Sequence, residues 1–278
     1  MSIQSGSEQS AGYFSRASRI VSRWAVQLVS SPSQAHRSEA ARRAARQTLL
    51  TFAAAVLSIA VLMIWFDAQE IALMPPRGTA GLWPFRVLTD FGKDSYVVSL
   101  LAVLLVVVAL IAPALHGPAS RRFLAIGLRL QFILLAVSVP LIIGELLKWT
   151  AGRGRPFVGG QANAFNFVPF AGNEAHASLP SAHAITAFAL AFAVAAIWPR
   201  LRGLAIAYAL LIAFTRLVLL AHHPSDVVAG ATIGIIGAIG VRYWFAARGL
   251  GFAIGDRGVI SPTADVALKG VAAGASAP

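Results

Sequence analysis

Six apolar runs divide this chain, and each is close to the length that spans a bilayer: Thr48–Phe66, Tyr96–Leu115, Leu128–Leu147, Ala182–Trp198, Gly203–Leu220 and Val227–Phe245. About 20 apolar residues of helix cross a hydrocarbon core. Lipid offers no partners to backbone N–H and C=O groups, so the runs are expected as helices. Hydrophobic residues make up 57% of the chain and charged residues 12%, against about a quarter charged in a soluble domain. The expected fold class is therefore an all-α membrane protein with six transmembrane helices. A formal charge of +12 would suit a nucleic-acid partner, but the hydropathy makes orientation in a membrane the better explanation, and no nucleic acid is expected. With no cysteine, disulfides and thiolate metal sites are excluded.

Charge divides the chain into three parts. Residues 1–47 form a basic N-terminal segment, 48–246 the transmembrane domain and 247–278 a C-terminal tail. In the first part, Phe14, Ile20, Trp24 and Leu28 alternate with arginines over Tyr13–Val29. That pattern fits an interfacial helix touching anionic headgroups; a partly disordered tail fits the composition equally well. Arg16, Arg19, Arg23, Arg37, Arg42, Arg43, Arg46, Arg121, Arg122, Arg200 and Arg202 all fall on one side of the six runs if the N-terminus is inside. The positive-inside rule then predicts both termini in the cytoplasm.

Three polar stretches interrupt the apolar pattern: Lys148–Pro156, Pro180–His183 and Thr215–Asp226. In this topology all three lie on the outer face. Charge at membrane depth is costly and marks function by default. His222 and Asp226 stand four apart where a loop enters a helix. A carboxylate holding one ring nitrogen would fix the tautomer and free the other as a nucleophile; an Asp cap beside an interfacial His fits the same spacing. His183 falls in the first turn of a span, where the amides of Ser181 and Ala182 could hold an anion. It could donate a proton to a leaving oxygen. Lys148, Arg155 and Arg216 offer the charge that phosphoryl transfer needs on its equatorial oxygens. Arg153 is expected to add only local positive potential. His223 is expected to point away, Glu145 to pair with Lys148, and Glu174 and His176 to face a headgroup. His36 and His116 fall on the other side.

The chain resembles the type 2 phosphatidic acid phosphatase superfamily, relatives of the vanadium haloperoxidases. The resemblance rests on K-x6-R-P, P-S-G-H and S-R-x5-H-x3-D. Here these read Lys148 to Arg155-Pro156, Pro180-Ser181-Ala182-His183, and Thr215-Arg216 to His222 and Asp226. Ala182 replaces glycine, which keeps the amide but narrows the backbone; Thr215 replaces serine and keeps a hydroxyl. The resemblance implies a lipid phosphate phosphatase that needs no metal or cofactor. His222 would be the nucleophile, Asp226 its orienting group and His183 the proton donor. Lys148, Arg155, Arg216 and the amides near Ser181 and Ala182 would bind phosphate. A bacterial inner membrane is the expected location, and the charge pattern puts the site on its periplasmic face. Undecaprenyl diphosphate, phosphatidic acid, phosphatidylglycerol phosphate and lipid A are the candidate substrates. Two other readings use the same residues: a transporter binding an anion without chemistry, and a zinc hydrolase built on His183, His222, His223 and Asp226.

Overall fold

The computed structural model describes residues 2–160 and 162–263. Nine helices succeed one another in this part of the chain: α1 (Ser2–Val29), α2 (Arg37–Trp65), α3 (Asp67–Leu73), α4 (Trp83–Asp90), α5 (Asp94–Ile111), α6 (Gly117–Ala151), α7 (Ala182–Ile197), α8 (Arg202–Val218) and α9 (Pro224–Ala247). A small antiparallel hairpin, β1 (Phe252–Ile254) and β2 (Ile260–Pro262), follows them.

Five segments are long and apolar enough to cross a membrane: Arg37–Trp65, Ala80–Ala114, Gly117–Ala151, Pro199–Val218 and Pro224–Ala247. The sixth expected run is α7, a helix of 16 residues and so about 24 Å long. Most of α2 faces outward, with only 6% of its apolar window buried. In an apolar solvent such a surface needs no protein cover.

α7 is the central helix. It packs on α6, α8 and α9, while α5 lies against α6 and α2 against α9. Small residues permit the close approach. Ala184, Ala187 and Ala189 are fully buried on α7, and Gly230 and Gly234 of α9 lie against its backbone. A Cβ on Gly230 would stand 2.4 Å from the Ser181 carbonyl oxygen, and one on Gly234 2.5 Å from that of Ile185. Pro140 inside α6 costs that helix a backbone hydrogen bond; its ring fits over Gly237 of α9.

Two segments differ from the expectation. Residues 116–127, expected as a connecting loop, are helical from Gly117 and extend α6 by more than two turns. The reason is that Pro118 suits a helix start, and Ala, Arg and Leu residues carry the helix on. The segment expected as a simple tail contributes buried Phe252 and Ile254 to the core, with Phe252 edge-on to Phe132. The basic N-terminal segment is helical. Trp24 is buried against Gly127, the Tyr13 hydroxyl donates to the Leu110 carbonyl (2.6 Å), and the Trp244 indole donates to Leu28 (3.0 Å).

Candidate active site

Helix direction alone gathers the polar stretches. α6 and α8 end where α7 and α9 begin, which puts Lys148, Arg216, Ser181–His183 and His222–Asp226 at one end of the bundle. The long loop from α6 to α7 crosses this end. Gly152 starts it with φ 56°, and a Cβ there would sit 1.8 Å from the Val168 carbonyl oxygen, so only glycine fits.

The centre of the network is Arg153, which is fully buried. Its guanidinium donates to Asp226 Oδ1 (2.5 Å), Asp67 Oδ2 (2.7 Å), Ser225 Oγ (2.6 Å) and the Ala164 carbonyl (2.7 Å). This corrects the expected minor role. A buried charge has to be paired and hydrogen-bonded throughout, and the planar fork of arginine reaches two carboxylates at once. Asp67 in turn accepts from the Ser225 amide (3.1 Å) and hydroxyl. The start of α9 is thereby tied to the start of α3.

Asp226 is fully buried. Besides Arg153, it accepts from the Ser178 hydroxyl (2.6 Å) and the His223 amide (2.9 Å). His222 is also buried, but its Nδ1 lies 2.8 Å from the Ser178 carbonyl oxygen and 4.0 Å from Asp226. This corrects the expected direct Asp–His contact. Asp226 has spent its acceptors on Arg153, Ser178 and the helix cap, and reaches His222 through Ser178. A carbonyl only accepts, so Nδ1 carries the proton and Nε2 keeps its lone pair. Burial, then the charges of Arg216 and Arg155, hold the pKa of His222 well below the ordinary imidazole value. The ring is therefore neutral at pH 7.

The cations surround this end. Arg216, buried in α8, donates to the Thr89 hydroxyl (2.6 Å). Arg155 pairs with Glu174 (2.8 Å), whose side chain is 92% exposed, and Lys148 pairs with Glu145 as expected. Exposed ion pairs contribute little, so both cations remain available to an anion. Arg216, Arg155 and Lys148 all lie close enough to His183 to act on its charge, as does Lys93; Arg77 acts on both Arg155 and Arg216 and covers the Phe157 ring at 3.9 Å.

The phosphate-binding role expected for the Ser181 amide needs correction. That amide donates to the Asp226 carbonyl (3.1 Å), and the Ser181 hydroxyl caps α7 by accepting from Ala184 (3.5 Å). The amides of Ala182 and His183 have no hydrogen bond among the described residues, so the free donors of this helix start lie one residue further on. Thr215 turns inward and donates to the Ile212 carbonyl (2.6 Å), a back-bond along its own helix. His223 is fully buried; its Nδ1 faces the Asp67 carbonyl (3.4 Å) and burial lowers its pKa. His176 Nδ1 faces Asn173 (3.1 Å). At the other end, His116 meets Arg16 (2.8 Å) and His36 lies 3.7 Å from Asp256.

Asp67, Thr89, Ser178 and Ser225 are structural members of the site that sequence reasoning missed. A carboxylate directly after an apolar run was a usable signal for Asp67. Thr89 and Ser178 carry none, because loop packing alone brings them in.

The sequence model of the PAP2 superfamily matches residues 129–250. The lipid A 1-phosphatase of Rhizobium etli is 31% identical over 179 residues, covering 64% of this chain and 76% of that protein. The chain belongs to the PAP2 superfamily. The lipid A 1-phosphatase of Rhizobium johnstonii is 38% identical over 117 residues, and the candidate undecaprenyl-diphosphatase YbjG of Escherichia coli is 31% identical over 125. These matches span 42% of this chain in both cases, and 48% and 59% of the relatives themselves. No solved structure gives a significant match. The PAP2 match begins at Arg129 and includes all three polar stretches.

Proposed function

We propose that this PAP2 protein hydrolyses a phosphate monoester or diphosphate on a membrane lipid through a phosphohistidine. The observation that carries the reading is the orientation of His222. Its Nδ1–H is committed to the Ser178 carbonyl (2.8 Å), and Nε2 is left as a neutral nucleophile at the cationic end of the bundle. Nε2 attacks phosphorus with its lone pair, and the bond from phosphorus to the lipid oxygen breaks. His183 gives that oxygen its proton. His183 then takes a proton from water as the water attacks phosphorus, the bond to Nε2 breaks, and inorganic phosphate leaves. Lys148, Arg155, Arg216 and the Ala182 and His183 amides hold the phosphoryl oxygens through both steps.

Lipid A with its 1-phosphate is the first substrate to test and undecaprenyl diphosphate the second, following the names of the relatives. The basic ends of the chain support an orientation with both termini in the cytoplasm and His222 facing the periplasm of a bacterial inner membrane. The zinc reading is weaker. Asp226 has its oxygens engaged, and no group of three or more metal-ligating side chains occurs among the described residues. Phosphate release from detergent-solubilised protein, across a panel of both lipids and phosphatidic acid, tests catalysis against transport. His222→Ala should lower the rate on the order of a thousand-fold or more. Full activity in that variant would remove His222 as the nucleophile.

A further inference from the structure

The end of the bundle remote from His222 has a cavity of about 390 Å³ between α6, the α7–α8 turn and the hairpin. Its floor is hydrocarbon: Leu128, Phe132, Ile197 and Phe252. Arg129 and Arg200 line the same space, with Trp198 beside them. Along α6, Arg129 lies about 28 Å from Lys148 by helical rise, so the cavity is separate from the catalytic end. Neither guanidinium is paired with a carboxylate among the described residues.

This combination specifies a ligand class. An apolar floor is a poor host for water, and two guanidinium forks suit a phosphate. A partly exposed tryptophan marks the headgroup level of a bilayer. An acyl chain against Phe132 with its phosphodiester between Arg129 and Arg200 satisfies every wall. A zwitterionic lipid brings its phosphodiester with a quaternary ammonium that the two cations repel, and a free anion leaves the floor uncovered. We propose that this cavity is a second, non-catalytic site, for an anionic phospholipid of the leaflet opposite the active site.

The test is thermal unfolding of the full-length chain in detergent with added phosphatidylglycerol, phosphatidylcholine or inorganic phosphate. Phosphatidylglycerol has no terminal phosphate for the proposed reaction to remove. At a hundred-fold excess over its Kd it should raise Tm by about 5–10 °C, and phosphatidylcholine and inorganic phosphate should not. His222→Ala should keep the shift. R129A/R200A and Leu128→Trp, which fills the floor while leaving the charges, should each lose it while retaining phosphatase activity. An equal shift with phosphatidylcholine or inorganic phosphate, its survival in both cavity variants, or its loss in His222→Ala would overturn the assignment. A shift that appears only after deletion of residues 264–278 would overturn it too, by making the chain's own C-terminal segment the occupant.

Discussion

One guanidinium shared between Asp67 and Asp226 leaves the buried cluster short of positive charge, and Glu70, one turn after Asp67, answers by staying neutral. Its carboxyl is buried with neither oxygen hydrogen-bonded among the described residues. Burial first, then the charges of Asp67 and Asp226, push its pKa up to about 8. A folded pKa above the unfolded value means the native state holds an extra proton between the two. Stability from this group is therefore full below about pH 4.5 and is lost as pH rises through about 8. His222 and His223, with lowered values, act in the opposite sense below pH 6.5, so a difference measurement isolates Glu70. Thermal unfolding of Glu70→Gln should fall less than wild type between pH 5 and 8; parallel curves would show Glu70 to be ionised in the fold. Arg153 presents the harsher case. Arg153→Met leaves two buried carboxylates uncompensated and should destabilise by about 3–5 kcal/mol, read as a loss of folded protein on size-exclusion chromatography in detergent. Arg153→Met with Asp67→Asn should recover part of that loss. If the single variant unfolds at the wild-type temperature, the network carries no weight.

The crossing of α7 and α9 converts helix packing into site geometry. Gly230 and Gly234 form a G-x-x-x-G face on α9, the spacing that lets two backbones approach in a membrane. The same contact surface holds the Ser181 amide on the Asp226 carbonyl (3.1 Å). A side chain at Gly230 has backbone in its way, which cannot rotate aside. Gly230→Leu should therefore part α7 from α9 near the site and lower kcat at least about ten-fold, whereas Gly240→Leu, with nothing within 4 Å of its Cβ position, should keep wild-type activity. Equal activity of the two variants would separate helix packing from catalysis. At this scale the apolar runs were legible because hydropathy reports helices directly. The start of α6 was not, because Arg121 and Arg122 look like a loop when only hydropathy is scored. That the three polar stretches share one end of the bundle was legible from the order of the spans. Ser178 standing between His222 and Asp226 was not, since that contact depends on how a long loop folds over the helix ends.

Over the whole molecule, charge and chemistry lie at opposite ends. Arg121, Arg122, Arg200 and Arg202 flank the end that holds the hairpin, and Lys148, Arg155 and Arg216 the end that holds His222. The first group sits in turns and helix starts with little acid nearby, as cytoplasmic loops do. The cations of the second group each meet a partner: Lys148 meets Glu145 one turn earlier on α6, Arg155 meets Glu174 on the loop, and Arg216 meets the Thr89 hydroxyl of α4. The positive-inside rule depends on cations outside the site, so the second group does not count against the proposed orientation. The absence of cysteine from the chain makes this directly measurable, because any thiol introduced is the only one present. Ala162 and Ala119 are exposed, the first on the loop over the site and the second at the start of α6. In intact cells a membrane-impermeant maleimide should label Ala162→Cys and leave Ala119→Cys unlabelled until the inner membrane is permeabilised. The reverse pattern would place His222 in the cytoplasm, and with it the leaflet from which the lipid phosphate is drawn.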